Sequence, residues 1–108
     1  MEIRFANPIH PGEMLRVEFM TPLGLSAGKL AKALGVPRTR IERLVREETA
    51  LSFDTAVRLA RYFKMTEGFW TGMQNSYELD CLHADKNRLA ALDAIEPLAR
   101  PDLAGEAA

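Results

Sequence analysis

The 108-residue sequence contains only one cysteine, and this scarcity limits the class of protein. A single cysteine cannot form the internal disulfide framework of a small secreted domain. The N-terminus lacks the basic and apolar regions of a signal peptide, and no apolar run approaches the roughly 20 residues that span a membrane. We therefore expect one small domain that is soluble and cytoplasmic and has no membrane partner.

The chain also lacks an overall charge excess, since its formal net charge at pH 7 is only −1. A protein that binds nucleic acid usually carries a basic surface. The charges are, however, divided along the chain: residues 1–28 sum to −1, residues 29–64 to +5 and residues 65–108 to −5. The basic middle favours contact with an anionic polymer, and the acidic final third favours a neutral or basic partner. A charged surface that contacts only solvent is the alternative interpretation.

Sequence signals for catalysis or metal binding are few. The sequence shows no glycine-rich phosphate loop, no paired catalytic carboxylates and no nucleophile with a companion base. His10 and Glu13 have the spacing of a zinc pair, but a helix N-terminus explains both residues. Cys81 and His83 would point in divergent directions on a helix. We therefore expect no enzyme, no catalytic residues, no metal site and no cofactor.

Helix caps and apolar periodicity predict an all-α fold of five helices with no strand. The helices are expected near residues 12–20, 26–34, 37–46, 53–63 and 67–95. The last of them has a candidate break around residues 82–86. Pro11 suits a first helical position, and Gly24 and Gly35 can end helices in the left-handed conformation. The candidate N-caps are Ser26, then Ser52 or Asp54, and Thr66.

Two short helices joined at Gly35 have the arrangement of a helix-turn-helix, whose second helix enters the DNA major groove. On that second helix, the side opposite the apolar stripe carries Arg38, Thr39 and Arg43, which are our candidates for reading bases. Arginine can bind guanine through two hydrogen bonds, and threonine can bond a base or touch a thymine methyl group. The flanking cations expected to contact DNA phosphates are Lys29, Lys32, Arg40 and Arg46. Ordinary solvent-facing residues remain the alternative.

The last predicted helix is too long for a five-helix globule to cover. Its apolar seam includes Trp70, Met73 and Tyr77 at helical spacing. A seam without a partner in its own domain favours dimerisation, so we expect these residues in a dimer interface or in the core beneath it. A platform for stacked bases is a less favoured alternative.

These elements predict a single domain with two irregular ends. We expect an extended N-terminal segment over residues 1–10 and a disordered tail over residues 97–108. Between them, residues 11–96 would form the helix-turn-helix domain and its C-terminal dimerisation helix.

Several short motifs occur together in a distinctive order. They are His-Pro-Gly-Glu-Met-Leu at 10–15, Pro-Leu-Gly-Leu-Ser at 22–26, Leu-Ala-Lys-Ala-Leu-Gly-Val-Pro-Arg-Thr-Arg-Ile at 30–41, Asp-Thr-Ala-Val-Arg-Leu-Ala-Arg-Tyr-Phe at 54–63, Phe-Trp at 69–70 and Tyr-Glu-Leu-Asp at 77–80. In these motifs the chain resembles the HigA-type antitoxin branch of the XRE helix-turn-helix family. The resemblance implies a lambda repressor-like fold and a homodimer that binds operator DNA and represses its own operon. It also implies a HigB-type, RelE-like toxin that cleaves messenger RNA as a protein partner.

The sequence departs from this family just after the predicted DNA-reading helix. Such proteins usually have Arg-Gly followed by basic residues there, whereas this chain has Arg46-Glu47-Glu48-Thr49. Without the glycine, the helix is expected to extend or to end with strain at Glu47. The two carboxylates are expected to weaken non-specific DNA affinity. Glu42, on the same helix, can accept from cytosine or orient Arg38 and Arg46.

Three hypotheses of different classes follow. The first is a DNA-binding repressor that also neutralises a toxin. The second is a free-standing XRE-type regulator without a toxin. The third is a protein-binding module whose acidic residues have impaired its DNA binding.

Overall fold

The structure is a computed structural model that describes residues 8–99, and every regular element in this range is helical. The first helix, α1, combines an α-helical turn at Pro11–Met14, a π-helical stretch at Leu15–Met20 and a last turn at Thr21–Leu23. The others are α2 (Ala27–Leu34), α3 (Arg38–Val45), α4 (Phe53–Phe63), α5 (Glu67–Ala84) and α6 (Lys86–Asp93). The all-α prediction is confirmed.

The predicted break in the last helix occurs at Asp85, which turns the expected fifth helix into α5 and α6. Asp85 leaves the helical conformation, with φ −103° and ψ 94°. Its side chain accepts a hydrogen bond of 3.1 Å from the backbone N–H of Arg88 and so caps α6. The fold therefore has six helices among residues 8–99 instead of five.

The sequence predicted that the first helix ends near Met20, but the helix continues to Leu23. Pro22 was expected to end it, because a proline biases the preceding residue, here Thr21, away from the helical region. Thr21 is nevertheless helical, with φ −60° and ψ −51°, and its N–H bonds the Arg16 carbonyl in the π-helical pattern of the preceding turn. The helix thus accommodates Pro22 and ends at Gly24, whose φ is 64°.

Trp70 is the largest fully buried side chain in the core of the molecule. Its ring centroid lies 5.0 Å from that of Phe19 and 5.2 Å from that of Phe69. Trp70 was predicted to lie either in a dimer interface or in the core beneath it. The structure places it in the core, so the interface assignment is corrected. Buried in the core with it are Leu15, Met20, Leu30, Ala31, Leu34, Ile41, Leu44, Leu51, Ala56, Leu59 and Ala60.

The C-terminal helix α6 contains no buried residue. Leu92, Ile95 and Leu98 are exposed along and just beyond it. Most of residues 1–10 and 97–108, for which extended and disordered structure was predicted, lies outside the described range. Within that range, no helix is both long enough and apolar enough to cross a membrane.

Candidate nucleic-acid interface

Helices α2 and α3 form a helix-turn-helix whose geometry is set by local sequence. The hydroxyl of Ser26 accepts from the Lys29 N–H at 3.1 Å and caps α2. Gly35 ends α2 in the left-handed conformation, with φ 72°. Pro37 has the extended conformation of an N-cap and directs the chain into α3. The caps and stops predicted for these two helices are confirmed.

Helix α3 buries one stripe and exposes the other. Ile41 and Leu44 are buried against the core. The seven residues predicted to contact DNA are all exposed, and we call them the basic face: Lys29, Lys32, Arg38, Thr39, Arg40, Arg43 and Arg46. The structure thus leaves all of them accessible, on the two helices of one helix-turn-helix and, for Arg46, at the C-cap of α3.

Arg38 is tethered on this face by Glu42. Its Nε donates to a carboxylate oxygen of Glu42 at 3.1 Å, one helical turn away. The Arg38 side chain is nevertheless 71% exposed, so the guanidinium remains accessible. Orientation of Arg38 was one of the roles expected of Glu42. Arg43 and Arg46 form no ion pair with any residue in the range 8–99.

Arg40 belongs to a cluster of charged side chains that was not predicted from the sequence. Its Nη1 donates to Oδ2 of Asp54 at 2.8 Å. The same oxygen accepts from Nε of Arg58 at 3.0 Å, and Nη1 of Arg58 donates to the Leu34 carbonyl at 2.8 Å. Hydrogen bonds from Arg58 and Arg40 hold the pKa of the Asp54 carboxyl below its ordinary value. Arg40, Asp54 and Arg58, hereafter the Asp54 cluster, connect α3 and α4 to the end of α2.

The C-terminal end of α3 has the strain predicted at Glu47. This residue is left-handed, with φ 62°. The Glu47 and Glu48 N–H groups bond the carbonyls of Leu44 and Arg43 at 2.9 and 3.0 Å, which is a Schellman cap without glycine. Arg16 of α1 donates to the Val45 carbonyl and lies near Glu47. Because no glycine is present, Glu47 adopts the strained left-handed conformation that ends α3, and the helix itself remains intact.

Helix α1 also packs closely against this end of α3. The imidazole Nδ1 of His10 accepts from the Gly12 N–H at 2.9 Å and caps α1. A Cβ atom added to Gly12 would lie 1.8 Å from the Leu44 carbonyl oxygen. Only a residue without a side chain allows this approach. His10 and Gly12 therefore support the placement of α3, and His10 has the helix-start role expected of it.

A groove of about 630 Å³ runs beside α3. Thr39, Arg40 and Arg43 lie along its α3 side, and Ser52 and Asp54 lie along its α4 side. The groove therefore joins predicted base-reading and phosphate-contacting residues to the Asp54 cluster.

The remaining interface candidates, Met73 and Tyr77, lie half-buried on α5. They line a groove of about 420 Å³ between α1 and α5 together with Gly72. The Tyr77 ring packs edge-on against His10 at 4.9 Å, and a hydrogen bond with Cys81 raises the pKa of its phenol.

Of the two ion pairs that Asp54 forms beside the basic face, one can be predicted from sequence spacing and the other cannot. Asp54 and Arg58 are four residues apart on a helix, and this spacing alone indicates an ion pair. Arg40 and Asp54 are 14 residues apart, so their contact depends on how α3 and α4 pack. From the sequence, Asp54 was expected only as a candidate helix cap, whereas Ser52 is the residue that caps α4.

Comparisons with known proteins agree with this architecture. A helix-turn-helix family model matches residues 18–70, which include α2 and α3. The chain is 48% identical over 81 residues to virulence-associated protein I of Dichelobacter nodosus, and the match covers 75% of each chain. It is 36% identical over 73 residues to antitoxin HigA-1 of Vibrio cholerae, covering 68% of this chain and 69% of the relative.

This chain is similar to a solved structure over most of the length of both chains. The structure of Pseudomonas aeruginosa antitoxin HigA with the higBA promoter aligns with a TM-score of 0.76 and 41% sequence identity. The alignment covers 85% of this chain and 99% of that one. The similarity therefore extends beyond the helix-turn-helix into the helices that follow it.

Proposed function

Because this chain belongs to the XRE helix-turn-helix family and to its HigA-type antitoxin branch, we propose that it represses its own operon and neutralises a toxin encoded there. The operator-binding part of this proposal rests on one observation above all. The seven residues of the basic face are exposed on α2, on α3 and at the C-cap of α3, while Ile41 and Leu44 fix α3 to the core.

The chemistry of the basic face suits the two tasks of a DNA reader. Arg38, Thr39 and Arg43 offer the groups that bind base edges in the major groove. Lys29, Lys32, Arg40 and Arg46 supply cations for the phosphate backbone, which sets affinity and orientation. Pseudomonas aeruginosa antitoxin HigA, which is similar to this chain, was solved with the higBA promoter, and this supports DNA binding by this chain.

A helix-turn-helix protein gains useful sequence specificity when two copies bind together. One module contacts few base pairs, and a two-fold dimer places two α3 helices about 34–36 Å apart on successive turns of DNA. The candidates for this interface are Met73 and Tyr77 on α5, with exposed Leu92 on α6 and exposed Ile95 and Leu98 just beyond it. We expect sedimentation to show a dimer at micromolar concentration, and a monomer there would contradict this part of the proposal.

The toxin partner is a HigB-type, RelE-like nuclease in this proposal. A protein that binds messenger RNA needs a basic surface for the phosphates. The final third of this chain is acidic and lies outside the basic face, so DNA and toxin need not compete for one surface. The test is to co-express the chain with the product of the adjacent reading frame and to follow growth and co-purification. Rescue of growth supports the antitoxin role, and a non-toxic neighbour supports a regulator without a toxin.

The operator-binding test uses the DNA upstream of the gene for this chain. A duplex from that region is titrated at 50 and 200 mM salt beside a shuffled duplex of equal length. We expect the upstream duplex to bind at least about a thousandfold more tightly. Equal affinity for the two duplexes would contradict operator recognition and would favour the impaired DNA-binding alternative.

A further inference from the structure

The Asp54 carboxylate occupies an unusual place beside the basic face, because it holds a cation that DNA binding would use. Arg40 Nη1 lies 2.8 Å from Asp54 Oδ2, a distance typical of a charge-assisted hydrogen bond. In free protein, this carboxylate therefore occupies part of the hydrogen-bonding capacity that Arg40 would offer a phosphate.

Asp54 has a second cation that keeps it in place. Arg58 Nε donates to the same Oδ2 atom at 3.0 Å, and Arg58 is itself anchored to the Leu34 carbonyl. If Arg40 rotates toward DNA, Arg58 still compensates the Asp54 charge. Departure of Arg40 therefore does not leave an unpaired carboxylate, and the exchange of partners is energetically modest.

The Arg40 side chain is free to make such an exchange. It is 43% exposed and belongs to the lining of the groove beside α3. An ion pair at this exposure contributes little free energy, so a phosphate held in the right place can compete with Asp54. A phosphate that is placed loosely competes less well.

We propose that Asp54 is a positioning residue that holds Arg40 in reserve, so that Arg40 contacts phosphate in the operator complex and largely withholds this contact from other DNA. This inference rests on the proposed operator binding. In the operator complex, base contacts from α3 fix the register and bring one phosphate to Arg40. In a non-specific complex, that register is not fixed and Arg40 stays with Asp54. Asp54 thereby raises the ratio of operator to non-operator affinity.

The Asp54→Asn variant tests this proposal through its effect on non-operator DNA. The shuffled duplex should bind roughly two- to fivefold more tightly, because Arg40 no longer has an anionic competitor. The magnitude of its salt slope should rise by about 0.9, since one more phosphate is contacted. The affinity for the upstream duplex should increase by a smaller factor, so the ratio of operator to non-operator affinity should fall. A merely structural role for Asp54 would not steepen the slope.

Glu48→Gln is the matched control. It removes one negative charge near the end of α3, but Glu48 has no ion-pair partner among residues 8–99. By reducing repulsion it should tighten binding to both duplexes by a similar factor, and it should leave the salt slope unchanged on both. An equal change of the salt slope in Asp54→Asn and Glu48→Gln would show a long-range charge effect and would overturn the proposal.

Arg40→Gln alone gives a test that does not depend on the folding of Asp54→Asn, and the two variants together form a double-mutant cycle. In the otherwise unchanged protein, Arg40→Gln should weaken binding to upstream DNA and barely change binding to the shuffled duplex. In the Asp54→Asn background it should weaken both. Equal losses on both duplexes in the unchanged protein would overturn the reserve role. If the unchanged protein does not distinguish the two duplexes, the proposed operator binding itself has failed.

Discussion

The carboxylate of Glu47 lies 3.7 Å from the guanidinium of Arg16, joining α1 to the residue that ends α3. Both side chains are about two-fifths exposed, so this pair contributes little stability. Glu47 also has a left-handed backbone conformation, which costs a non-glycine residue roughly 1–2 kcal/mol. Backbone cost therefore exceeds ion-pair gain at the end of α3.

Glu47→Gly combined with Glu48→Arg is expected to tighten DNA binding. The glycine removes the left-handed strain, and the arginine replaces repulsion by attraction at the DNA backbone. Glu47→Gly alone separates the two effects and should raise the free energy of unfolding by up to about 1 kcal/mol. Chemical denaturation and titration with the upstream duplex measure the two quantities. A loss of more than about 1 kcal/mol in Glu47→Gly would show that the Arg16 contact dominates.

Gly12→Ala is expected to destabilise the fold by about 3 kcal/mol or more, because the new Cβ would overlap the Leu44 carbonyl oxygen. The two helices must separate, which moves α3. Gly68→Ala on α5 is the control, since its Cβ would meet nothing within 4 Å. That control should be neutral or slightly stabilising, as alanine favours helix. Similar unfolding free energies for both variants would contradict the close packing of α1 on α3.

Asp54 should contribute stability that depends on pH. The pKa of its carboxyl is lowered in the folded state from an ordinary value of 3.8, chiefly by the hydrogen bond from Arg58. A group with a lowered folded-state pKa stabilises the fold above its unfolded pKa and loses this contribution as pH falls through the folded value. The unchanged protein should therefore melt at a higher temperature than Asp54→Asn near pH 6, where this difference is largest. The difference should vanish below the lowered pKa of Asp54. A difference that persists there would contradict the ion-pair explanation.

Lys29→Ala is expected to weaken binding to all DNA alike and to reduce the salt slope by about one unit, because Lys29 would contact a phosphate and no base. Lys86→Ala on α6 is the control, since it removes the same charge outside the basic face. Titrations of both duplexes at several salt concentrations measure the slopes. A change in sequence preference in Lys29→Ala would show that this residue reads bases.

Local features of the fold were predictable from the sequence where short-range chemistry determines them. Ser26, Gly35 and the break at Asp85 act through their own backbone or that of the next few residues. The exposed side of α3 followed in the same way from helical periodicity.

Features that depend on packing between distant residues were not predictable. The contact of Arg40 with Asp54 requires α3 and α4 to lie side by side. Trp70 shows the same limit, because periodicity placed it on an apolar seam but could not distinguish core from interface. The π turn of α1 was also missed, since the effect of Pro22 on an ordinary α-helix predicted an earlier end.

The most direct test of operator recognition by α3 is titration of the upstream duplex with the double variant Arg38→Ala, Arg43→Ala. Each substitution should cost roughly 1–3 kcal/mol of operator binding free energy and relax the preference at one base position. Thermal unfolding should be nearly unchanged, because both side chains are exposed. Loss of discrimination between upstream and shuffled DNA is the predicted result. Unchanged affinity for the upstream duplex would contradict the assignment of α3 as the DNA-reading helix.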